Sequence, residues 1–270
     1  MPASPKVPPE VYSELLSFAH RLANMSGNAI LPLFRRPAPV DNKSHQGRFD
    51  PVTAADRAAE KAVRVAIAEA WPEHGIRGEE FGMEAPDAEF CWLIDPIDGT
   101  RAFIMGLPTW GTLIGLLHEG EPLLGIMNQP FTGERYWSDV TQSHMRGPSG
   151  ECALATRPCA ALDDALLAST SPEIFGSGYE QERFGALSAA VRMGRFGTDC
   201  YAYCLLAAGH IDLVVEASLQ AHDIAPLIPI VERAGGRVTT WTGESAAEGG
   251  RVVASGDPRL HDAALKILSG

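Results

Sequence analysis

"DPIDGTRAF", residues 95–103, sets two carboxylates three positions apart, stiffens the gap with Pro96, and follows at once with glycine and threonine. The run before it, "EFCWLI" at 89–94, is apolar and reads as a buried strand; the residues after it can start a helix. Asp95 and Asp98 therefore stand where a strand ends and a helix begins. A surface turn and a metal site both fit that local pattern. Two carboxylates closing a buried strand repel one another unless something positive lies between them, which is harder to reconcile with a plain turn.

Three more stretches put acids beside expected element ends: "VTAAD" with Asp56, "IRGEEFG" with Glu79 and Glu80, and "AHDIAP" with Asp223. Singly, each has a structural explanation. Thr53 and Asp56 suit a capping-box variant opening a helix. Glu79 and Glu80 suit a solvated turn, and Asp223 a helix N-terminal acid facing the dipole. With "DPIDGT" they make an oxygen-only ligand set, which suits a hard cation such as Mg²⁺. The Gly99 and Thr100 peptides, at a helix start, would offer N–H groups to an anion. A cation site beside an anion site describes a phosphate ester held on metal.

The chain has 270 residues, 45% of them hydrophobic, enough for a large core in one big domain or two small ones. No apolar run reaches the roughly 18 residues of a membrane span. The N-terminal "MPASPKVPPE" has no apolar signal core, so the expectation is a cytoplasmic protein. Cys91, Cys152, Cys159, Cys200 and Cys204 show no CxxC pair and no zinc spacing, which reads as reduced thiols. A formal charge of −12 argues against a nucleic-acid binder with a basic surface. It does not argue against phosphate, because divalent ions on an acidic cluster reverse the local sign.

Apolar spacing predicts helices over 9–34 and 54–71, separated by a long polar loop at 35–51. Short strands follow at 76–78, 90–94, 109–118 and 122–128, then a looser stretch at 139–164. Beyond it the pattern predicts strand 166–170, helices 180–193 and 199–209, strand 211–215, helix 223–234, strands 236–241 and 251–254, and helix 258–268. Hairpins first and α/β alternation afterwards suggest layered sheets and helices, not a simple doubly wound fold.

"GEE", whose Glu79 lies sixteen residues ahead of Asp95 in "DPIDGT", with "HD" and a small-residue helix near the C-terminus, resembles the inositol monophosphatase superfamily over nearly the whole chain. "DPIDGTRAFIMGLPTWGTLIGLL", "TDCYAYCLLAAGHIDLVVE" and "LQAHDIAPLIPIVERAGG" look most like its histidinol-phosphatase branch. That branch removes phosphate from L-histidinol phosphate in histidine biosynthesis. The resemblance implies an α/β protein with a layered α-β-α-β-α, sugar-phosphatase-like fold. It implies a single phosphatase domain over 1–270, with halves of about 1–150 and 151–270, the site between them, and a homodimer.

By the same resemblance, Glu79, Asp95 and the Ile97 carbonyl hold one Mg²⁺, and Asp95, Asp98 and Asp223 a second. Asp56 lies near a third, looser ion; Mn²⁺ is an alternative metal. Thr100 orients the attacking water and counts, with Glu79 and Asp98, as catalytic; Glu80 supports. Gly99 and Thr100 would face the phosphate. Asp199 and Glu216 are candidates for holding a cationic substrate, with an N-cap as the competing reading of Asp199. Arg101 and Arg195 are surface or phosphate-side charges. His222 stands where the branch commonly has tyrosine or tryptophan, and either packs in its place or touches substrate. The rival functions are an inositol-1-monophosphatase or broad-specificity sugar phosphatase, and a non-catalytic metal-dependent binding protein. The last has no use for Thr100.

Overall fold

The computed structural model describes residues 7–36, 40–42 and 51–270. Most of the loop expected at 35–51 lies outside the described residues. Helix α1 (Pro9–Ile30) buries Tyr12, Leu15, Phe18, Leu22 and Ile30 along one face, and a proline at its first position sacrifices no helical hydrogen bond. After β1 (Val40–Asn42) and β2 (Pro51–Thr53), α2 (Ala54–Ala70) buries Ala59, Val63 and Ile67 in the same way. Then come β3 (Gly75–Gly78), β4 (Gly82–Glu84), β5 (Phe90–Asp98), the short α3 (Thr100–Met105), β6 (Gly111–His118) and β7 (Glu121–Gln129). Next are β8 (Glu134–Ser138), β9 (Ser143–Gly147), β10 (Gly150–Ala153), β11 (Leu166–Ser169), α4 (Tyr179–Ala190) and β12 (Met193–Phe196). The chain ends with α5 (Tyr201–Ala207), β13 (Leu213–Leu219), α6 (Ala221–Ile224), α7 (Ile228–Arg233), β14 (Arg237–Thr240), β15 (Gly250–Ser255) and α8 (Pro258–Leu268).

One sheet has eight strands in the order β10-β9-β8-β7-β6-β5-β3-β4, and another has five in the order β12-β11-β13-β15-β14. In the larger sheet β3 and β5 run parallel, whereas β5, β6, β7 and β8 form an antiparallel meander. Alternation along the strands sorts side chains into layers. Trp92, Ile94, Ile114 and Ile126 face Tyr12 and Leu22 of α1 and Val63 and Ile67 of α2. Leu113 and Met127, on the opposite face, meet Leu206 of α5, Val231 of α7, and Val214 and Ala254 of the smaller sheet. Leu213, Val215 and Val253 on its far face meet Leu187 of α4 and Leu260 of α8. Each fully buried Leu, Ile or Val in these layers contributes about 1.5–3 kcal/mol. The order is α-β-α-β-α, as the resemblance implies.

Several elements differ from the sequence reading. The looser stretch at 139–164 contains β9, which is mostly polar and half-buried, and β10, which is exposed, so neither leaves an apolar alternation. The helix expected at 180–193 stops at Ala190, and the exposed edge strand β12 follows. The helix expected at 223–234 is two short ones, α6 and α7. No helix among the described residues is long and apolar enough to cross a membrane.

Candidate active site

Strand β5 runs past Ile94 to Asp98, and its pairing with β6 explains the "DPID" spacing. Asp95 lies opposite Leu113 and Asp98 opposite Gly111, so three steps on β5 match two on β6. In an unbroken strand, positions three apart point to opposite faces. The extra residue forms a β-bulge that brings Asp98 round to the side of Asp95. Pro96 suits a bulge because no ladder N–H is required of it. Its carbonyl accepts a hydrogen bond from Thr112 Oγ1 at 2.8 Å. The Ile97 N–H donates to Asp95 Oδ1 at 3.0 Å.

Gly99 then takes a left-handed φ of 82° as the cap of α3. A Cβ there would lie 3.1 Å from the Asp199 side chain, so glycine also permits the two segments to meet. Thr100 donates through Oγ1 to the Ile97 carbonyl at 3.0 Å. One bulged strand end thus delivers Asp95, the Ile97 carbonyl, Asp98 and Thr100 to one place.

The other acids arrive from elsewhere. Asp98 Oδ2 accepts from the Cys200 N–H at 2.7 Å, which ties β5 to the start of α5. Asp223 caps α6 by accepting from the Gln220 N–H at 2.7 Å, and His222 Nε2 lies 3.3 Å from its other oxygen. Asp56 completes a capping box with Thr53. Capping does not account for all of it, because Asp56 Oδ1 is buried with no hydrogen-bond partner among the described residues. Two acidic groups result: Asp56, Glu79 and Glu80, and Asp95, Asp98 and Asp223. Within each, one oxygen per residue lies within 4.8 Å of the others. Glu79 links them, acting on Asp56 through its charge and hydrogen-bonding with Asp95.

This crowding has an electrostatic consequence. Burial first, then Glu79 and Asp98, raise the Asp95 pKa well above the usual carboxylate range. Burial, then Asp223 and Asp199, do the same to Asp98. Burial is also the main cause of the upward shift at Asp56. Buried carboxylates that repel one another, with an open oxygen on Asp56 and oxygen donors throughout, fit a hard divalent cation such as Mg²⁺.

The facing side of the site comes from the smaller sheet. Glu216 on β13 is 1% exposed, and its Oε1 accepts from the Thr170 N–H at 2.8 Å and Thr170 Oγ1 at 3.1 Å. Its Oε2 is buried and has no partner among the described residues. Burial raises its pKa strongly, the Thr170 hydrogen bonds oppose that, and Asp199 and Asp98 add to it. Asp199 has φ 44°, a left-handed conformation that is uncommon outside glycine. Burial pushes its pKa to about 6, with Arg101 pulling the other way. It is not a side-chain N-cap: α5 begins at Tyr201, later than the 199 expected, and has no side-chain cap.

Sequence reasoning missed Tyr203. It is 3% exposed, and its hydroxyl has no hydrogen-bond partner among the described residues. Burial, then Glu216, Asp98 and Asp223, raise its pKa, so the hydroxyl sits in the field of all three carboxylates. Local spacing gave no signal for it, because Asp199 lies outside α5 and the pair shares no helix face. Arg195 is exposed on β12.

A layered α/β fold with paired acidic groups at a bulged strand end defines a metal-dependent phosphomonoesterase. Residues 11–269 match the inositol monophosphatase family, and the chain belongs to it. It is similar to the chloroplastic bifunctional phosphatase IMPL2 of Arabidopsis thaliana, at 38% identity over 95% of this chain and 76% of that one. A histidinol-phosphatase of Mycobacterium tuberculosis is 35% identical over 81% of this chain and 85% of its own. Among solved structures, an inositol monophosphatase from Zymomonas mobilis superposes with a TM-score of 0.85 at 42% identity, covering 96% of this chain and 99% of that one.

Proposed function

We propose that the protein is a Mg²⁺-dependent histidinol phosphatase, hydrolysing L-histidinol phosphate to L-histidinol and phosphate. The observation that carries the substrate reading is Glu216, a buried carboxylate with one oxygen left open, in the same field as Asp98 and Asp199. A cationic leaving group supplies the donors and the positive charge which that arrangement lacks. The histidinol-phosphatase of M. tuberculosis, at 35% identity, supports the same reading. Inositol phosphate is the second reading. It is favoured by the likeness to the Zymomonas enzyme, and a sugar hydroxyl can also donate to Glu216.

Glu79, Asp95, the Ile97 carbonyl, Asp98 and Asp223 are the proposed metal ligands, with Asp56 at a looser position. Mg²⁺ bound there supplies positive charge and a water nucleophile near neutral pH. Thr100, fixed to the Ile97 carbonyl, orients that water with Glu79. The Gly99 and Thr100 peptides face the phosphoryl oxygens. Asp199 and Glu216, with His222 beside Asp223, receive the leaving alcohol and its cationic groups. Water attacks directly. The Cys200 thiol, although beside Asp98, is held protonated by burial and by that carboxylate, so it is not the nucleophile. The chain works as one domain with the site between its halves, and as a homodimer, for which exposed Ile104, Met105 and Leu107 offer apolar surface.

Phosphate release from histidinol phosphate should require Mg²⁺, vanish in excess EDTA and return when Mg²⁺ is restored. Full turnover in EDTA overturns the proposal.

A further inference from the structure

Glu60 on α2 is an acidic side chain at 0% exposure and belongs to neither acidic group. A carboxylate buried that completely must be well supplied with donors. Its Oε2 accepts from the Glu80 N–H at 2.7 Å. Its Oε1 accepts from the Phe81 N–H at 3.2 Å and from Arg64 Nε at 2.8 Å. Arg64 reaches onward to Glu84 at 2.8 Å and to the Gly82 carbonyl. Both amides that Glu60 holds belong to the turn carrying Glu79 and Glu80. The other end of that turn is tied to β5, where the Glu79 N–H donates to the Ile94 carbonyl at 3.1 Å, next to Asp95.

Asp56, Glu60 and Arg64 are four residues apart in succession, so one face of α2 presents all three. Gly78 fits the same design. A Cβ there would fall 2.0 Å from Glu60 Oε1, so the residue opening "GEE" must be glycine for the carboxylate to reach the turn.

We propose that Glu60 is a positioning residue for the cation site, locking the Glu79–Glu80 turn against the helix that carries Asp56. This rests on the reading that these acids hold Mg²⁺. Residues that orient ligands in this way are worth roughly 10- to 100-fold in metal affinity. Glu60→Gln keeps the volume but offers one acceptor oxygen in place of two and turns an NH₂ toward N–H donors.

The test is Mg²⁺ titration calorimetry on the full chain. Mg²⁺ binding should weaken about 10-fold or more in Glu60→Gln. The variant should melt at a lower temperature without metal, because it breaks the buried pair with Arg64, yet stay folded at the titration temperature, and kcat should recover at saturating Mg²⁺. Gly78→Ala, which pushes on the same carboxylate from the other side, should reproduce the weaker binding. A second measurement needs no variant: in metal-free wild type, the Glu80 and Phe81 amides should already be protected from hydrogen exchange. Unchanged Mg²⁺ affinity in both variants, or open-loop exchange at those two amides while α2 stays protected, overturns the inference. Wild type that binds no Mg²⁺ overturns the proposed function first, and the inference with it.

Discussion

Asp95 and Asp98 reach the site from one bulged strand, each held by a backbone N–H, from Ile97 and Cys200 respectively. Glu216 and Tyr203 reach it from β13 and α5, and each keeps a buried polar atom without a partner among the described residues. Ser169 Oγ and Thr198 Oγ1, next in sequence to Thr170 and Asp199, are in the same state. The first side is crowded with like charge and rigidly tied, an arrangement that suits a cation. The facing side lacks hydrogen-bond partners, which a substrate can bring. Buried polar groups left unmade cost about 1–3 kcal/mol each, so a ligand that satisfies them gains that much selectivity over one that does not. On this account the strand side carries the hydrolysis common to the family, and the facing side carries the choice of ester.

The largest effect should come from the strand side. Asp98→Asn should cut turnover on every phosphate ester by on the order of 100- to 1,000-fold, because the amide keeps the bond to Cys200 but removes charge that holds the cation. Metal-free stability should move the other way. The folded-state pKa of Asp98 is raised, so its favourable contribution is complete below the unfolded value of about 4 and is lost as pH rises through the folded value. In EDTA at neutral pH the variant should therefore melt at a higher temperature than wild type, with the gap widening as pH rises from mildly acidic values. Thermal melts across pH check this. Near-normal turnover would reduce Asp98 to a turn residue.

A smaller, more selective effect should come from Glu216→Gln. Charge-assisted hydrogen bonds are worth about 1.5–3 kcal/mol, or roughly 10- to 100-fold. By that amount kcat/KM should fall for histidinol phosphate, and much less for p-nitrophenyl phosphate, which carries no cation. Equal losses on both would make Glu216 a support for the metal ligands. No loss on either would make it structural, leaving selectivity to Asp199, Tyr203 or His222.

The two sides also differed in how far the sequence disclosed them. "DPIDGT" was readable because its residues are consecutive and the bulge that aligns them is written in the chain as a proline between two acids. Asp56, Glu79 and Asp223 stood out as acids at element ends, and the capping box at Thr53 was readable from spacing alone. Tyr203 was hidden because an aromatic residue in a short apolar helix looks like any core residue. Its role depends on β13 passing beside α5, a contact that local spacing does not encode. Glu60 was hidden for the opposite reason. On an amphipathic helix a glutamate reads as part of the solvated face, and only the fold places it at 0% exposure beneath the "GEE" turn. The edge strands β10 and β12 escaped because exposed side chains carry no period-two signal, and β9, "SHMRG", because its residues are mostly polar and half-buried. The layer order was recoverable because each sheet face has its own run of buried aliphatics.

The division of labour between the two sides is tested most directly by one comparison: wild-type kcat/KM in saturating Mg²⁺ for histidinol phosphate and for inositol 1-phosphate, measured by phosphate release. A single charge-assisted hydrogen bond to the substrate cation predicts a preference of about 10-fold or more for histidinol phosphate. Equal values, or a preference for inositol 1-phosphate, would contradict the assignment of the Glu216 side to a cationic leaving group, while leaving the metal-dependent hydrolysis intact.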